Sequence, residues 1–594
     1  MNIVRTRRIA QVFFLAVFVA ACLAAAPDGA GRYSNTPPNA FLYADPLAAL
    51  AAWAAAGTLP TAFVAALGML AMTLVFGRFF CGWICPLGTL QQAAGWLARR
   101  RAPAKTRIVS NRHRPAQRAK YYGLAALTAG ALGAAALRAV GGLGLPSAST
   151  ALGSLPSGWL DPLCVLHRAF HLAAAPFLGA PRQFMQAAWM GGFVLAILAL
   201  GLWFPRAYCR YICPLGALYG LFARWSLLRM GKTRTECSNC ERCQRDCEGA
   251  CEPATRLRPS ECVLCFNCLH VCPDEVIGYR GAFPPATENA AVDTTRRGVL
   301  VSLASGALAL PLLRLHGLLG RNFSPRLLRP PGALAEAEFL ARCLKCGQCM
   351  GACPSNIIQP AGLEAGIEGL WTPLLNFRIG TAGCLPECTA CGEICPTGAI
   401  RRLSADERLA RGAFADREPV RIGLAFVDRG RCLPWAMDRP CIVCQEVCPV
   451  SPKAIGVVER FAPVGFGPFR ATGGSARAIE MDGALPPEVR AELASGDVYV
   501  RWANGRPLRA AGGAGHQLSL ADPAERPPEA GEVVDFLVRL QQPMVDPRRC
   551  IGCGLCEHHC PVAGLKAIRV TAENESRHPE HRLTPPLRRG DAHE

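Results

Sequence analysis

The chain has 594 residues, 51% of them hydrophobic, and a formal net charge of +20 carried mostly by arginine. That length calls for several domains, and the clumping of the apolar residues argues against an ordinary soluble enzyme. The basic residues sit beside apolar stretches, as on the inner face of a membrane protein, and no nucleic-acid module accompanies them.

In chain order, residues 9–26 follow Arg5, Arg7 and Arg8 and form the first apolar stretch. Residues 60–77, 121–140 and 186–204 are three more, each near the ~20 residues that a helix needs to cross a bilayer. A basic loop from Arg99 to Lys120 separates the second from the third, and a further basic segment starts at Arg206. The segments 27–59 and 141–185 hold few Lys or Arg. The positive-inside rule then puts the N-terminus, the 91–120 loop and the residues after 205 in the cytoplasm. The first stretch also reads as a cleaved signal peptide, and Val19-Ala20-Ala21-Cys22 as a lipoprotein cleavage site with a lipidated Cys22. An uncleaved helix closes the topology without either.

This half contains an internal repeat. Asp45-Pro46-Leu47, an apolar span and Cys81-Gly82-Trp83-Ile84-Cys85-Pro86-Leu87-Gly88 are echoed by Asp161-Pro162-Leu163, a span and Cys209-Arg210-Tyr211-Ile212-Cys213-Pro214-Leu215-Gly216. Two copies of one unit imply a pseudo-symmetric helical bundle. Cys81, Cys85, Cys209 and Cys213 are candidates for one extra iron–sulfur cluster; structural or redox-sensing thiols are the other reading. Asp45 and Asp161 read either as acceptors of quinol protons or as helix caps at the Asp-Pro turns. His167 and His171 lie one helical turn apart. A solvated interfacial pair is the favoured reading, with a quinol pocket or haem ligation as alternatives. Cys164 beside them reads as a buried thiol.

From Cys237 onward, 25 of the 31 cysteines follow a Cys-x-x-Cys-x-x-Cys-x-x-x-Cys pattern or a close variant, repeated six times and ending five times in Cys-Pro. This is the ligand spacing of ferredoxin-type [4Fe–4S] clusters. It argues against both a disulfide framework and zinc ribbons. In two-cluster ferredoxins the fourth cysteine of each run serves the other cluster. Cys237, Cys240 and Cys243 are thus expected with Cys272, and Cys262, Cys265 and Cys268 with Cys247 or Cys251; spacing favours Cys247. Thr295-Arg296-Arg297 opens a fifth apolar stretch that reads as a Tat-like signal, an ordinary anchor or a buried helix.

Four motifs follow: Cys343/Cys346/Cys349/Cys353, Cys384/Cys388/Cys391/Cys395, Cys432/Cys441/Cys444/Cys448 and Cys550/Cys553/Cys556/Cys560. The stretch 457–545 between the last two is rich in Gly, Pro and charge, with an Asn504-Gly505 turn. It reads as a docking insert or a long loop, and the tail after about Thr571 as disordered.

The paired CxxxCPLG motifs with a ferredoxin behind them resemble the NapH/MauN type of membrane ferredoxin, and the irregular later spacings resemble the NapG/MauM type. The same core is shared with NosR-type polyferredoxins. This resemblance implies a multi-domain membrane protein, with a transmembrane bundle of about five helices plus α+β ferredoxin-like [4Fe–4S] domains. The expected parts are 1–230 (four-helix transmembrane domain), 231–285 (cytoplasmic two-cluster ferredoxin), 290–320 (Tat-like fifth helix), 330–575 (periplasmic four-cluster ferredoxin with insert 457–545) and 576–594 (disordered tail). By analogy with four-cluster subunits, motif one exchanges its last cysteine with motif four, and motif two with motif three; sequential exchange stays open.

No Rossmann or Walker fingerprint is visible, so a membrane quinol is the economical electron donor. The expected protein sits in the bacterial inner membrane, carries about six [4Fe–4S] clusters and acts as a quinol dehydrogenase. It would pass electrons from the quinol pool to a periplasmic cytochrome, reductase or dehydrogenase. The alternative is a polyferredoxin for assembly or reductive maturation of another metalloenzyme.

Overall fold

The computed structural model describes residues 3–24, 39–57, 59–100, 102–140, 156–174, 183–233, 237–281, 288–289, 291–319, 326–464, 468–485, 489–490, 493, 498–578, 581 and 583. Of the expected outer loops 27–59 and 141–185, residues 27–38, 58, 141–155 and 175–182 lie outside them. The chain divides into two compact units, Met1–Thr381 with Glu387–Arg417, and Ala382–Pro386 with Glu418–Glu594.

In the first unit the internal repeat is built twice from the same parts. Asp45 caps α2 (Pro46–Ala56), and α3 (Val64–Phe76) follows. A short helix Phe79–Trp83 carries the first cysteine, and Cys85 precedes α4 (Pro86–Arg99). Asp161 likewise caps α6 (Pro162–Ala169), followed by α7 (Ala187–Trp203), a short helix Ala207–Tyr211 and α8 (Pro214–Ala223). Each Asp-Pro or Cys-Pro pair starts a helix because proline at the first helical position gives up an amide that has no partner there, and its fixed φ suits the turn. The copies interlock: α4 packs on α7, and α8 on α3. The remaining long helices are α1 (Ile3–Ala24), α5 (Ala119–Val140) and α9 (Arg296–Leu319). α9 packs on α5 at Gly306, where a Cβ would overlap the Ala126 backbone, the close approach that small residues permit between membrane helices.

Helices thus stand at all five expected spans. Among the described residues one of them, Ile3–Ala24, is both long and apolar enough to cross a membrane, while Thr61–Phe76 and Ala187–Trp203 are shorter apolar helices.

Two ferredoxin-like pieces complete this unit. In one, β1 (Arg229–Lys232) pairs antiparallel with β2 (Ile277–Arg280), around the short helices Arg242–Arg245 and Asn267–Val271. In the other, β3 (Ile358–Pro360) pairs with β4 (Pro373–Leu375), near the helices Gln348–Ala352 and Ala390–Glu393.

The second unit pairs β5 (Leu424–Val427) with β13 (Ile568–Thr571), with helices Val443–Glu446 and Leu555–His559 alongside. The described residues of 457–545 form a β-sheet domain, which replaces the long-loop reading and is compatible with a docking insert. Its strands are β6 (Ile455–Pro463), β7 (Phe469–Ser475), β8 (Ala478–Met481), β9 (Val498–Trp502), β10 (Leu508–Ala514), β11 (Gln517–Leu520) and β12 (Val533–Val545). They run in the order β6-β12-β7-β8-β11-β10-β9, and β12 also pairs with β9, which closes a ring of six. Val498, Val500 and Trp502 point inward with Ile479, Leu518 and Phe536, the period-two alternation of a strand. The expected turn falls one residue early: Gly505 N donates to Trp502 O (2.9 Å) across Ala503 and Asn504. Both of these have positive φ (47° and 57°), as a type I′ turn requires.

Residues 572–576, which the sequence reading put at the start of an unstructured tail, are packed against the fold. Ala572, Asn574 and Glu575 are buried, and Ser576 N donates to Arg421 O (3.0 Å). Of residues 576–594, only 576–578, 581 and 583 are described.

Candidate metal centres

The first centre is the β1/β2 ferredoxin. Cys237 and Cys272 lie within electrostatic reach of Cys243. Cys265 and Cys268 are likewise within reach of Cys247 and of Cys262. The thiols of Cys247 and Cys251 are 3.4 Å apart, and Cys251 also contacts Cys262. Cys247 therefore adjoins Cys265 and Cys268, and Cys251 adjoins Cys262, so both candidates for the fourth position stand at this motif.

Buried ion pairs bind this ferredoxin to the repeat. Glu261 meets Lys120 and Arg78 (3.7 Å), and accepts from Tyr121 Oη (2.8 Å). Glu248 meets Arg7 (2.6 Å) and Arg206 (3.1 Å). Arg7 also donates to Gly82 O (3.2 Å) and Cys265 O (2.9 Å), so one guanidinium ties the first CxxxCP helix to the ferredoxin loop. Gly82 must be glycine, because a Cβ there would overlap the Val263 carbonyl.

The second centre gathers the repeat's own cysteines. Cys85 and Cys213 each lie within electrostatic reach of both Cys81 and Cys209, so the two copies bring four thiols to one buried place. Arg78 Nη2 stands 4.0 Å from Cys81 Sγ, and Gly216 N donates to Cys213 Sγ (3.2 Å).

The acid pair lies next to it. Asp45 Oδ1 accepts from Leu47 N (2.8 Å) and Ala48 N (3.2 Å), and Asp161 Oδ1 from Leu163 N (2.9 Å) and Cys164 N (3.1 Å). Both carboxyls therefore cap helices. Each keeps a buried Oδ2 without a hydrogen-bond partner, and the two side chains face one another. Tyr219 lies within electrostatic reach of this pair and of Cys81 and Cys85.

The third centre is the β3/β4 ferredoxin, where Cys343, Cys346 and Cys349 stand within reach of Cys395. Its loop seats on the second repeat. Arg168 Nη1 donates to Lys345 O (2.7 Å), and a Cβ on Gly158 would overlap the Leu344 backbone. His167 and His171 lie under this loop, 0% and 2% exposed, where a solvated pair was expected. Gln348 bonds to both of them, a contact that no local sequence signal announces.

In the second unit, Cys432 and Cys444 stand with Cys441 and Cys560, and Cys550 and Cys553 with Cys448. Cys395 therefore faces motif one, while motifs three and four exchange last cysteines. The neighbours follow the sequential order in place of the expected one-with-four and two-with-three order.

Cys353, Cys388 and Cys391 belong to the first compact unit, while Cys384 of motif two belongs to the second, where its N donates to Cys553 O (2.7 Å). The physical reason for the sequential order is helix packing. Gln348–Ala352 packs on Ala390–Glu393, which joins motif one to motif two, and Val443–Glu446 packs on Leu555–His559, which joins three to four. Cys391 is buried within electrostatic reach of Cys349, its Sγ 3.9 Å from Pro331 O. Cys388 is half-buried, and its carbonyl accepts from Arg408 Nη1. Cys353 is buried where it ends the helix Gln348–Ala352, and sequential exchange assigns it to motif two.

These donor sets suit iron. Burial first, and neighbouring thiolates second, push the thiols of Cys349 and Cys556 well up, and hold Cys346 at about 12. Converging thiolates that oppose one another's charge need a polyvalent cation, which an iron–sulfur cluster supplies.

A cavity of about 400 Å³ opens where the β1/β2 ferredoxin meets the helices, lined among others by Gln92, Trp96, Arg99, Arg206, Cys247 and His270.

Residues 58–105 and 186–233, which hold both CxxxCP pairs, match a 4Fe-4S binding domain model, and residues 543–566 match a second model of that description. The chain therefore carries 4Fe–4S binding domains at both CxxxCP pairs and at its last cysteine motif. It is 26% identical over 301 residues to ferredoxin-type protein NapH of Haemophilus influenzae, across 48% of this chain and 91% of NapH. It is 36% identical over 130 residues to ferredoxin-type protein NapG of Escherichia coli, across 22% of this chain and 50% of NapG. To Protein NirI of Paracoccus denitrificans it is 32% identical over 204 residues, 34% of this chain, and it spans only 26% of NirI. The chain is similar to a fusion of NapH-type and NapG-type ferredoxins. No solved structure matches it.

Proposed function

We propose that the chain is a membrane-embedded quinol dehydrogenase that moves electrons from its β1/β2 ferredoxin, through the CxxxCP quartet, to its β3/β4 ferredoxin and on to a periplasmic redox partner. One observation carries this reading: the two ferredoxins are linked to opposite ends of α1, the first directly and the second through His167. Arg7 bonds to Cys265 O, while Cys22 contacts His167, which bonds to Gln348. Fifteen helical residues separate Arg7 from Cys22, about 22 Å at the α-helical rise. That is too far for one electron step, and the four repeat cysteines stand on the way.

Membrane placement is supported by apolar side chains left exposed on several helices, among them Ile9, Val12, Leu67, Trp189, Leu195 and Leu308. Such a surface needs a cover, and lipid is the cover that suits helices flanked by arginine. The positive-inside rule supports a cytoplasmic β1/β2 ferredoxin, and the Tat-like Arg296-Arg297 pair supports export of the β3/β4 ferredoxin.

The 400 Å³ cavity is the proposed quinol site. Gln92, Arg99 and Arg206 offer donors to the quinol oxygens, Trp96 offers an apolar face, and His270 stands by as a proton acceptor. Cys247 in the wall brings the first cluster to the substrate. Quinol loses two electrons and two protons and leaves as quinone; the bound clusters supply one-electron chemistry. The chain's task is to hold them close, dry and in order. Asp45 and Asp161, fully buried, are proposed to hold a proton beside the quartet without touching quinol.

The test is reduction of the full chain in lipid vesicles under anaerobic conditions. Added quinol should bleach the visible iron–sulfur absorption, and Arg206→Ala should slow the bleaching. Bleaching by dithionite but not by quinol overturns the reading and favours the assembly role. A C-terminal reporter protected from external protease in spheroplasts overturns the outward direction.

A further inference from the structure

Cys22, His167 and His171 hold no cluster in the path above, yet among the described residues they form a prepared ligand set outside the ferredoxin motifs. Cys22 ends α1. His167 belongs to α6, and His171 to the π-helical turn Phe170–Ala174 that continues it. The π turn keeps the two imidazoles nearly parallel, with ring centroids 6.3 Å apart and planes 16° apart. One donor atom from each of the three side chains lies within 4.8 Å of the others, and all three are buried. Cys22 Sγ is 3.3 Å from His167 Nδ1. Gln348 completes the group, with Nε2 3.1 Å from His167 Nδ1 and Oε1 3.0 Å from His171 Nε2.

Two features point to a ligand beyond these hydrogen bonds. His167 Nε2 is buried with no hydrogen-bond partner, a cost that a core histidine packed for stability alone would avoid. The Phe18 ring lies 4.7 Å from the His167 ring, and Phe18, Cys22 and Leu163 belong to one buried apolar cluster, which gives the group a dry apolar wall. Polar donors gathered behind such a wall bind a metal more strongly than water does. A lipidated Cys22, the lipoprotein reading, is incompatible with a thiol buried against His167.

We propose that Cys22, His167 and His171 form a metal site for a thiophilic late first-row ion, copper or zinc, with the Gln348 amide oxygen as a weak fourth ligand. One thiolate and two neutral imidazoles are the donors these ions prefer, and a trigonal Cys-His-His set with a distant amide oxygen is the arrangement known for copper that transfers electrons. Binding displaces the thiol proton of Cys22, which leaves to solvent. Gln348 lies between Cys346 and Cys349 in sequence, so the site adjoins the third centre. Copper there would extend the electron path, whereas zinc would only fasten the β3/β4 ferredoxin to α1 and α6.

The proposal is tested on the purified full chain by elemental analysis, with iron measured in the same sample as the control for folding. Wild type incubated with Cu(I) or Zn(II) and then desalted should retain about one equivalent of one of them. Cys22→Ala and His167→Gln should lose that equivalent while iron stays at the wild-type level, and Cys164→Ala, a buried neighbour outside the group, should keep both. A cobalt-loaded wild type should show thiolate-to-metal charge-transfer absorption that Cys22→Ala abolishes. If wild type with full iron retains neither ion, or Cys22→Ala retains as much as wild type, the proposal fails. Should both ligand variants lose iron as well, the cobalt spectrum of wild type decides alone: absence of the band refutes the site. None of these readouts depends on quinol turnover.

Discussion

Glu261→Gln should free the β1/β2 ferredoxin from the helices without emptying it. Glu261 and its partners Lys120 and Arg78 are all 3% exposed or less. Removing the carboxylate's charge leaves two buried cations facing a neutral amide. Breaking a buried pair from one side costs about 3–5 kcal/mol. The amide still fills the space and accepts from Tyr121, so the lower end, about 3 kcal/mol, is expected. At 1.4 kcal/mol per tenfold, the open form becomes roughly a hundredfold more populated. Hydrogen exchange across 237–272 should rise by about that factor, with iron content unchanged. Reduction by quinol should fall, while reduction by dithionite stays. The paired control is Glu241→Gln, whose partner Arg112 is 58% exposed; an exposed pair of that kind is worth under about 1 kcal/mol. Equal exchange in the two variants would refute the reasoning. Acid should mimic the substitution. Burial raises the Glu261 pKa, but Lys120 and Arg78 more than offset it and leave it lowered. A depressed folded pKa means the contribution is fully present above the unfolded value of about 4.3. It is lost as pH falls through the lower folded value, so the protection of 237–272, taken relative to the intrinsic exchange rate at each pH, should stay flat from neutral pH down to about 4.3 and drop only below it.

Gly82→Ala should open the same interface by steric means, because its Cβ would overlap Val263 O; faster proteolysis between residues 237 and 281 is the measurement, and wild-type rates would contradict it. Cys85→Ser with Cys213→Ser should lower iron by about four atoms per chain if the quartet holds a [4Fe–4S] cluster; unchanged iron and unchanged electron paramagnetic signals would dismiss that cluster. Asp161→Asn should preserve the fold, since asparagine caps as well as aspartate and its amide can donate to the orphaned Asp45 Oδ2, while Asp161→Ala should cost about 1 kcal/mol in thermal unfolding. Leu518→Ala, in the centre of the barrel, should cost about 2–5 kcal/mol and melt β6–β12, with iron content as the control that the cysteine centres survive.

What could be read from the sequence was what is local. Ligand spacing within each cysteine motif, the Asp-Pro and Cys-Pro helix starts, and the span positions all depend on residues a few places apart. The partners of Cys353 and Cys395 were not legible, because sequential exchange and its alternative use identical spacings and differ only in long-range packing. The barrel escaped for another reason. Its strands alternate correctly, as in Val498-Tyr499-Val500-Arg501-Trp502, but they are short and set among glycine, proline and charge, so composition masked a period-two pattern that was present. The buried histidines escaped because the side chain that covers them, Gln348, lies 177 residues beyond His171.

The repeat shows where local reading stops and packing begins. Both copies read Arg-x-x-Cys-x-x-x-Cys-Pro-Leu-Gly, starting at Arg78 and at Arg206. Each arginine crosses to the other copy. Arg78 Nη2 lies 3.1 Å from where a Cβ on Gly216 would stand, and Arg206 Nη1 3.4 Å from the same place on Gly88. Arg206 then reaches Glu248, and Arg78 reaches Glu261. The two glycines leave room for guanidinium groups that arrive from the opposite copy, and the two glutamates, both from the ferredoxin, receive them. The charges that fasten the ferredoxin are thus the residues that bracket the four thiols. Loosening that interface and disturbing the quartet should therefore prove to be one perturbation, and electron flow between the first two centres should fail whenever either arginine is lost.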